Sequence, residues 1–377
     1  MTASGAVDQG GLEAVASVDR IPSLTGVRAL AALLVVATHA AYTTGKYTHG
    51  YLGLVFSRME IGVPIFFALS GFLLFGPWVR AAVSGSAAPS VWRYARNRAR
   101  RIMPAYVVTV LVAYLIYHFR EAGPNPGHSW NGLLRNLTLT QIYTDAYMFS
   151  HLHQGLTQMW SLAVEVAFYV ALPVLAYLLL VVLCRRRWRP GLLLAGLAGL
   201  AFISPAWMVL VHTVDFLPDG ARLWLPGYLA WFIGGMVLTV LAAMGVRCYW
   251  FLAVPLAVLC YLIASTPIAG EATTSPTGLA QALVKIGFYT AIATLVVAPL
   301  ALGDTGAYSR LLSSRPMVWL GEISYEIFLV HLIVMEFAMV EVLHWRVYTG
   351  SMPALFAVTL ALTIPVAWLL HRFTRVR

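Results

Sequence analysis

Charged side chains are scarce in this chain, since Asp, Glu, Lys and Arg together make up 11% of its 377 residues. A soluble protein of this length would carry roughly 25%. Hydrophobic residues make up 60% and recur in runs of about 20, the length that crosses the hydrocarbon core of a bilayer. The shortage of charge excludes an ordinary soluble domain and predicts an all-α protein, a polytopic bundle of transmembrane helices.

Cysteine is also rare. Its three positions, Cys184, Cys248 and Cys260, are scattered along the chain without CxxC spacing. Such a pattern provides neither a disulfide framework nor a thiolate metal site, so we predict no metal.

Acidic residues are outnumbered by basic ones, 15 against 25, and the net charge is +10. Many basic side chains lie between apolar runs, in segments such as "RRRWR" and "VWRYARNRARR". Segments of this kind stay in the cytoplasm and contact anionic lipid headgroups. The charge therefore favours membrane lipids over nucleic acid as partners. It predicts a multi-pass protein of the inner (plasma) membrane with both termini cytoplasmic.

The apolar runs predict about ten spans, in one membrane domain over residues 21–377. Their ranges are 24–44, 60–78, 103–119, 159–183, 191–212, 223–244, 249–267, 281–302, 317–343 and 353–370. Residues 1–20 are polar and lack the basic start of a signal peptide, so we predict a disordered cytoplasmic tail there.

The first span carries two ionisable groups, at the ends of "RALAALLVVATH". Arg28 and His39 are eleven residues apart, about 1100° of helical turn, so both lie on one face, about 16 Å apart along the axis. An ionisable group inside a span often lines a cavity with a function. The alternatives are a hydrogen-bonded structural imidazole at His39 and a membrane-anchoring cation at Arg28.

Two later spans carry further polar groups. In "MWSLAVEVAFY", we place Glu165 at about the depth of His39, where its carboxylate either orients the imidazole or serves helix packing. Ser161 precedes it by one turn on the same face, and Trp160 could be an interfacial aromatic residue. In "LGEISYEIFLVH", Tyr325 and His331 are cavity residues or structural partners.

Small and basic residues complete the set of candidates. In "GVPIFFALSGFLL", Ser70 and Gly71 allow another helix to approach closely, and Ser70 could also bond a catalytic group. In "VWRYARNRARRIMPAY", a dense arginine patch includes Arg98 and Arg101. This patch attracts either anionic lipid or a polyanionic ligand, whose phosphates guanidinium groups bind in bidentate fashion.

The order of these motifs resembles the acyltransferase-3 family of integral membrane O-acyltransferases, which includes enzymes that acylate bacterial surface polysaccharides or macrolide antibiotics. The resemblance rests on Arg-x10-His, "GVPIFFALSGFLL", "RARRIMP", "WSLAVEVAFY" and "LGEISYEIFLVH", and it extends from about residue 21 to 370. One departure is Pro64, at a position where the family often has an acidic residue.

The resemblance implies a membrane acyltransferase domain and no permanently bound cofactor. It also implies an acyl-CoA donor and a hydroxyl acceptor: a carbohydrate, a glycolipid or a small molecule. We predict that His39 and Glu165 are catalytic and that Arg28, Arg98 and Arg101 bind the donor. Further substrate contacts are predicted at Ser70, Trp160, Ser161, Tyr325 and His331. The alternative function is a proton-coupled transporter or exporter of a lipid or glycan, which intramembrane His and Glu would also suit.

Overall fold

A computed structural model describes residues 21–120, 124–145, 152–272 and 278–375 of the chain. Residues 1–20, the predicted tail, lie outside the described residues. Over the described ranges the regular elements are helices, which we number in chain order. They are α1 (Pro22–Thr43), α2 (Gly50–Arg58), α3 (Gly62–Ser84), α4 (Val91–Phe119), α5 (Trp130–Leu137), α6 (Met159–Ala176), α7 (Pro190–Ala201), α8 (Ile203–Thr213), α9 (Leu225–Ala243), α10 (Trp250–Ala264), α11 (Leu279–Ala301), α12 (Ala307–Leu312), α13 (Arg315–Glu322), α14 (Ser324–Phe337) and α15 (Met352–Thr374). Turns of π-helix extend α6 to Leu183 and α14 to Val342.

Eight helical segments within the described residues are long and apolar enough to cross a bilayer. A ninth would be α13 with α14, which together are bent by 71° at a short break. The run at 249–267 becomes α10, which has only 15 residues and is short for a span. The predicted all-α transmembrane bundle is confirmed, with eight or nine such spans rather than ten. The cytoplasmic placement of both termini stays a prediction.

The centre of the bundle is the contact between α3 and α9, where two glycines bring the backbones together. A Cβ atom on Gly71 would lie 2.0 Å from the carbonyl oxygen of Phe232, and one on Gly235 would lie 1.8 Å from that of Ala68. Beside this contact, Phe232 stacks between Phe67 and Phe168, with ring centroids 4.2 and 4.0 Å away. The predicted close approach of a helix at Gly71 is confirmed.

Gly71→Ala is expected to destabilise the protein by about 1–3 kcal/mol or more, because the new methyl group overlaps backbone that cannot move aside. The matched control is Gly76→Ala in the same helix, where the nearest atom to an added Cβ is the tip of the Arg80 side chain, 3.4 Å away. Thermal unfolding in nanodiscs should show a lower melting temperature for the first variant only. Equal melting temperatures for the two variants would contradict this account of the α3–α9 contact.

The start of α1 is held by the two short helices that precede the bend. A Cβ atom on Gly26 would lie 1.8 Å from the carbonyl oxygen of Leu312, and one on Gly321 would lie 2.0 Å from that of Thr25. The backbone of α1 therefore touches α12 and α13 directly at the end of the bundle that carries Arg28. We call this the Arg28 end, and the opposite one, where α1 terminates, the His39 end.

Candidate active site

Two histidines meet at the His39 end of the bundle. His331 of α14 is fully buried, and its Nε2 lies 3.2 Å from Nδ1 of the half-buried His39. Each Nδ1 also lies close to a carbonyl oxygen, that of Val35 at 2.7 Å for His39 and that of Phe328 at 2.8 Å for His331. A carbonyl oxygen only accepts, so both rings carry their proton on Nδ1. The Nδ1–H of His39 then also faces the lone pair of His331, and Nε2 of His39 keeps a lone pair of its own.

Glu165 lies elsewhere. Its Oε1 accepts hydrogen bonds from the hydroxyls of Ser70 and Tyr169, the second at 2.6 Å. The predicted orientation of His39 by Glu165 is wrong, since the described groups that hold the His39 ring are the carbonyl oxygen of Val35 and the side chain of His331.

The reason is the depth at which α3 begins. A Cβ atom on Gly62, the first residue of α3, would touch the carbonyl oxygen of Ala31, so α3 begins beside the middle of α1. Ser70 lies eight residues later, about 12 Å further towards the Arg28 end. Its partner Glu165 is therefore closer in depth to Arg28 than to His39.

The predicted arginines gather around this carboxylate. Arg28 interacts electrostatically with Glu165, Arg98 and Arg101, and Arg101 interacts with the same carboxylate. Nε of Arg28 is buried and makes no hydrogen bond to any described residue. Glu326 also interacts with Arg101 but is paired with His371 at 2.9 Å, so the three cations outnumber the acids near them, and a cation that is buried without a partner is costly. The cluster therefore has positive charge and an unused N–H group available for an anionic ligand.

The other side chains predicted to contact substrate lie in different parts of the bundle. Tyr325 donates from its hydroxyl to the carbonyl oxygen of Ile102 at 3.0 Å, which joins α14 to α4 beside Arg101. Ser161 donates to the carbonyl oxygen of Gln158 at 3.1 Å, a local bond at the start of α6. Trp160 packs against Tyr228, with ring centroids 5.1 Å apart. The substrate contacts assigned to these side chains stay predictions.

Sequence reasoning missed an ion pair near His39. Nζ of Lys285 in α11 lies 2.5 Å from Oε1 of Glu60, which also accepts from Tyr289 at 2.8 Å. Glu60 in turn interacts electrostatically with His39. A lysine inside a span is itself a signal of function or of a buried partner, and Lys285 carried that signal.

Sequence reasoning also missed a second histidine pair, beside α4. His153 is fully buried, and its Nε2 lies 3.2 Å from Nδ1 of His128. Burial, with a smaller effect of His128, lowers the pKa of His153 to about 3, so its ring is neutral near pH 7. Both rings pack against Tyr114. Among the described residues no three His, Cys, Asp or Glu side chains are grouped as metal ligands. The contacts of both rings with Tyr114 join the segment before α6 to α4.

Two of the cavities between described residues bear on the candidate site. The larger, about 410 Å³, is an apolar groove between α4, α14 and α15. The smaller, about 140 Å³, lies at the His39 end and is lined by Glu60, Val63, Pro64, Trp160, Met208, His212, Arg222, Tyr228, Trp231, Ala282, Lys285, Ile286 and Tyr289. Neither cavity is lined by Arg28 or His39, so a passage between these two residues stays a prediction.

The sequence of the chain is similar to those of known proteins. Residues 21–372 match the sequence profile of an acyltransferase domain. The chain is 28% identical over 372 residues to acyltransferase MdmB of Streptomyces mycarofaciens, covering 93% of this chain and 90% of that protein. It is 30% identical over 210 residues to peptidoglycan O-acetyltransferase OatA of Listeria monocytogenes, covering 51% of this chain and 29% of that protein. No solved structure gives a significant match.

The profile covers nearly the whole chain, including all the candidate residues on both sides of the bundle. The apolar helices and the histidine pair agree with a membrane enzyme of this kind. The chain belongs to the acyltransferase-3 family and is a multi-pass membrane O-acyltransferase.

Proposed function

We propose that the protein transfers an acyl group, most simply acetyl, from cytoplasmic acyl-CoA to a hydroxyl group of a carbohydrate, a glycolipid or a small molecule. The observation that carries this proposal is the separation of two unlike groups along α1, one around Arg28 and the other at His39. An arginine cluster with an unused N–H lies near one end of that helix, and an imidazole with an available lone pair lies about 16 Å further along it.

The arginine cluster is the proposed donor site. The nucleotide of CoA carries phosphates, which guanidinium groups bind through charge-assisted hydrogen bonds. Arg98 is half-buried and Arg101 is exposed, so both are accessible from the Arg28 end. In this proposal Glu165 keeps the three guanidinium groups in place by sharing its charge with them and by anchoring Ser70 and Tyr169.

The proposed chemistry takes place at His39. Nε2 of the neutral ring accepts the proton of the acceptor hydroxyl, while the hydroxyl oxygen attacks the thioester carbonyl carbon. The carbon–sulfur bond then breaks, the acyl group stays on the oxygen, and the proton returns from His39 to the departing thiolate. His331 accepts from Nδ1–H of His39, which fixes the tautomer and stabilises the ring when it is charged.

The phosphates enter at the Arg28 end and the hydroxyl reacts at the His39 end, so donor and acceptor come from opposite sides of the bundle. With the N-terminus in the cytoplasm, the acceptor site faces away from the cytoplasm, as O-acetylation of cell-envelope polysaccharide requires. The longer relative, OatA, is named as a peptidoglycan O-acetyltransferase, which agrees with an acceptor of this class.

The test uses purified protein in sealed lipid vesicles that contain acetyl-CoA labelled in the acetyl group. An acyltransferase releases free thiol, which a colorimetric reagent detects, and leaves the label on an acceptor hydroxyl. A proton-coupled transporter, the alternative that the buried histidine pair also suits, would move a solute and leave the thioester intact. Label transport without thiol release would overturn the proposal.

A further inference from the structure

We propose that the smaller cavity, at the His39 end, binds the sugar ring of a carbohydrate acceptor. This inference rests on the proposed function and adds the acceptor class and its site. The cavity lies between α3, α6, α8, α9 and α11. Its volume is about 140 Å³, the scale of a small molecule. Glu60 lines it and also interacts electrostatically with His39, which places the cavity on the same side of the bundle as the proposed base.

One wall of the cavity is a continuous row of aromatic rings. The ring of Tyr228 lies 5.1 Å from that of Trp160 and 4.8 Å from that of Trp231, which lies 5.9 Å from that of Tyr289. Aromatic side chains offer flat apolar surface together with polar N–H and O–H edges. A sugar ring has the matching character, with an apolar face of C–H groups and a rim of hydroxyls.

The same wall contains a donor without a partner. Trp231 is 5% exposed, and its Nε1–H has no acceptor among the described residues. A buried N–H without an acceptor costs free energy, because it has lost its hydrogen bonds to water. A hydroxyl oxygen of a bound sugar would satisfy it, whereas a purely aliphatic ligand would not.

The charged groups around the cavity are largely balanced. Glu60 is paired with Lys285 at 2.5 Å, and Arg222 lies 3.8 Å from Asp219. Such pairs can donate hydrogen bonds to hydroxyl groups and accept hydrogen bonds from them, so they suit a ligand without net charge. This distinguishes the cavity from the arginine cluster at the other end, which suits phosphates, and from the apolar groove by α15, which suits a hydrocarbon chain.

The experiment compares two acceptors of equal chain length in nanodiscs with labelled acetyl-CoA. One is octyl β-D-glucopyranoside, which carries a sugar, and the other is octyl tetraethylene glycol, which offers a hydroxyl on a sugarless headgroup. We expect acetyl transfer to the glucoside at least about tenfold faster than to the ether alcohol. The glucoside alone should also change the tryptophan fluorescence of the wild-type protein at the concentrations that support transfer.

Trp160→Ala should raise the KM for the glucoside about tenfold, and Trp160→Phe, which keeps a ring, should recover part of the loss. The matched control is Trp130→Ala in α5, a tryptophan that is 88% exposed and lies outside the cavity, and its KM should stay that of the wild type. Melting temperatures show whether each variant is folded, and the fluorescence titration tests the wild type without any substitution.

The outcomes separate this inference from the proposed function. Equal transfer to the two alcohols, a Trp160→Ala variant with unchanged KM, or the same fluorescence change with the sugarless alcohol would overturn the sugar site while leaving acyl transfer intact. Wild-type protein that never releases thiol from acetyl-CoA would instead overturn the proposed function.

Discussion

His39→Ala is expected to lower kcat for acyl transfer by about 10²–10⁴-fold, the usual contribution of a general base. The reason is that Nε2 of this ring is the proposed base for the acceptor hydroxyl, and alanine leaves no group to accept the hydroxyl proton. The KM values for acyl-CoA should change little, since the arginine cluster lies about 16 Å away along α1. Steady-state kinetics on purified protein in nanodiscs measure both quantities.

The control for this substitution is His49→Ala, an exposed histidine at the same end of the bundle. It should keep wild-type kcat, because its ring is outside the pair formed with His331. Circular dichroism and the melting temperature must show that the His39 variant is folded. A folded His39→Ala protein with near-normal transfer would remove this residue from the mechanism.

Replacing Arg98 and Arg101 together with alanine should raise the KM for acyl-CoA by about tenfold to a hundredfold, since hydrogen bonds to charged groups contribute roughly 1.5–3 kcal/mol. The KM for the acceptor should stay close to its wild-type value. The wild-type KM for acyl-CoA should also rise with ionic strength, because screening weakens attraction between the exposed guanidinium groups and the phosphates. The double variant should lose most of that salt dependence.

The chain offers a charge-matched control in the same turns of α4. Arg96 and Arg100 are exposed and point away from Arg98 and Arg101, at 100° per residue. Their double alanine variant removes as much positive charge from the same surface. If it raised the KM for acyl-CoA as much as the first double variant does, the patch would be a general attractor for anions or lipid headgroups.

A feature of the structure could be predicted from the sequence when it depends on one helix, but not when it depends on how several helices pack. The shared face of Arg28 and His39 follows from the period of a single helix, and the apolar runs follow from the thickness of the bilayer. The close approach at Gly71 follows from the size of its side chain alone. These features were predictable from local rules.

Relations between helices were not predictable in this way. Counting residues from the expected ends of two spans placed Glu165 level with His39, but α3 starts beside the middle of α1 and carries Ser70 and its partner Glu165 towards Arg28. The same limit explains why His331, a distant residue in the sequence, was not identified as the group that holds His39. The depth of a side chain in the bundle depends on where the loops place the start of each helix. The periodicity of the sequence does not predict this.

The direct backbone contacts of α12 and α13 with the first turns of α1 have a mechanical consequence. Because these contacts are between backbone atoms, the first turns of α1 cannot shift without displacing α12 and α13, so the backbone at Arg28 is held in place. Any closure of the arginine cluster on a bound phosphate is therefore expected to come from the first turns of α4, whose side chains are mostly exposed.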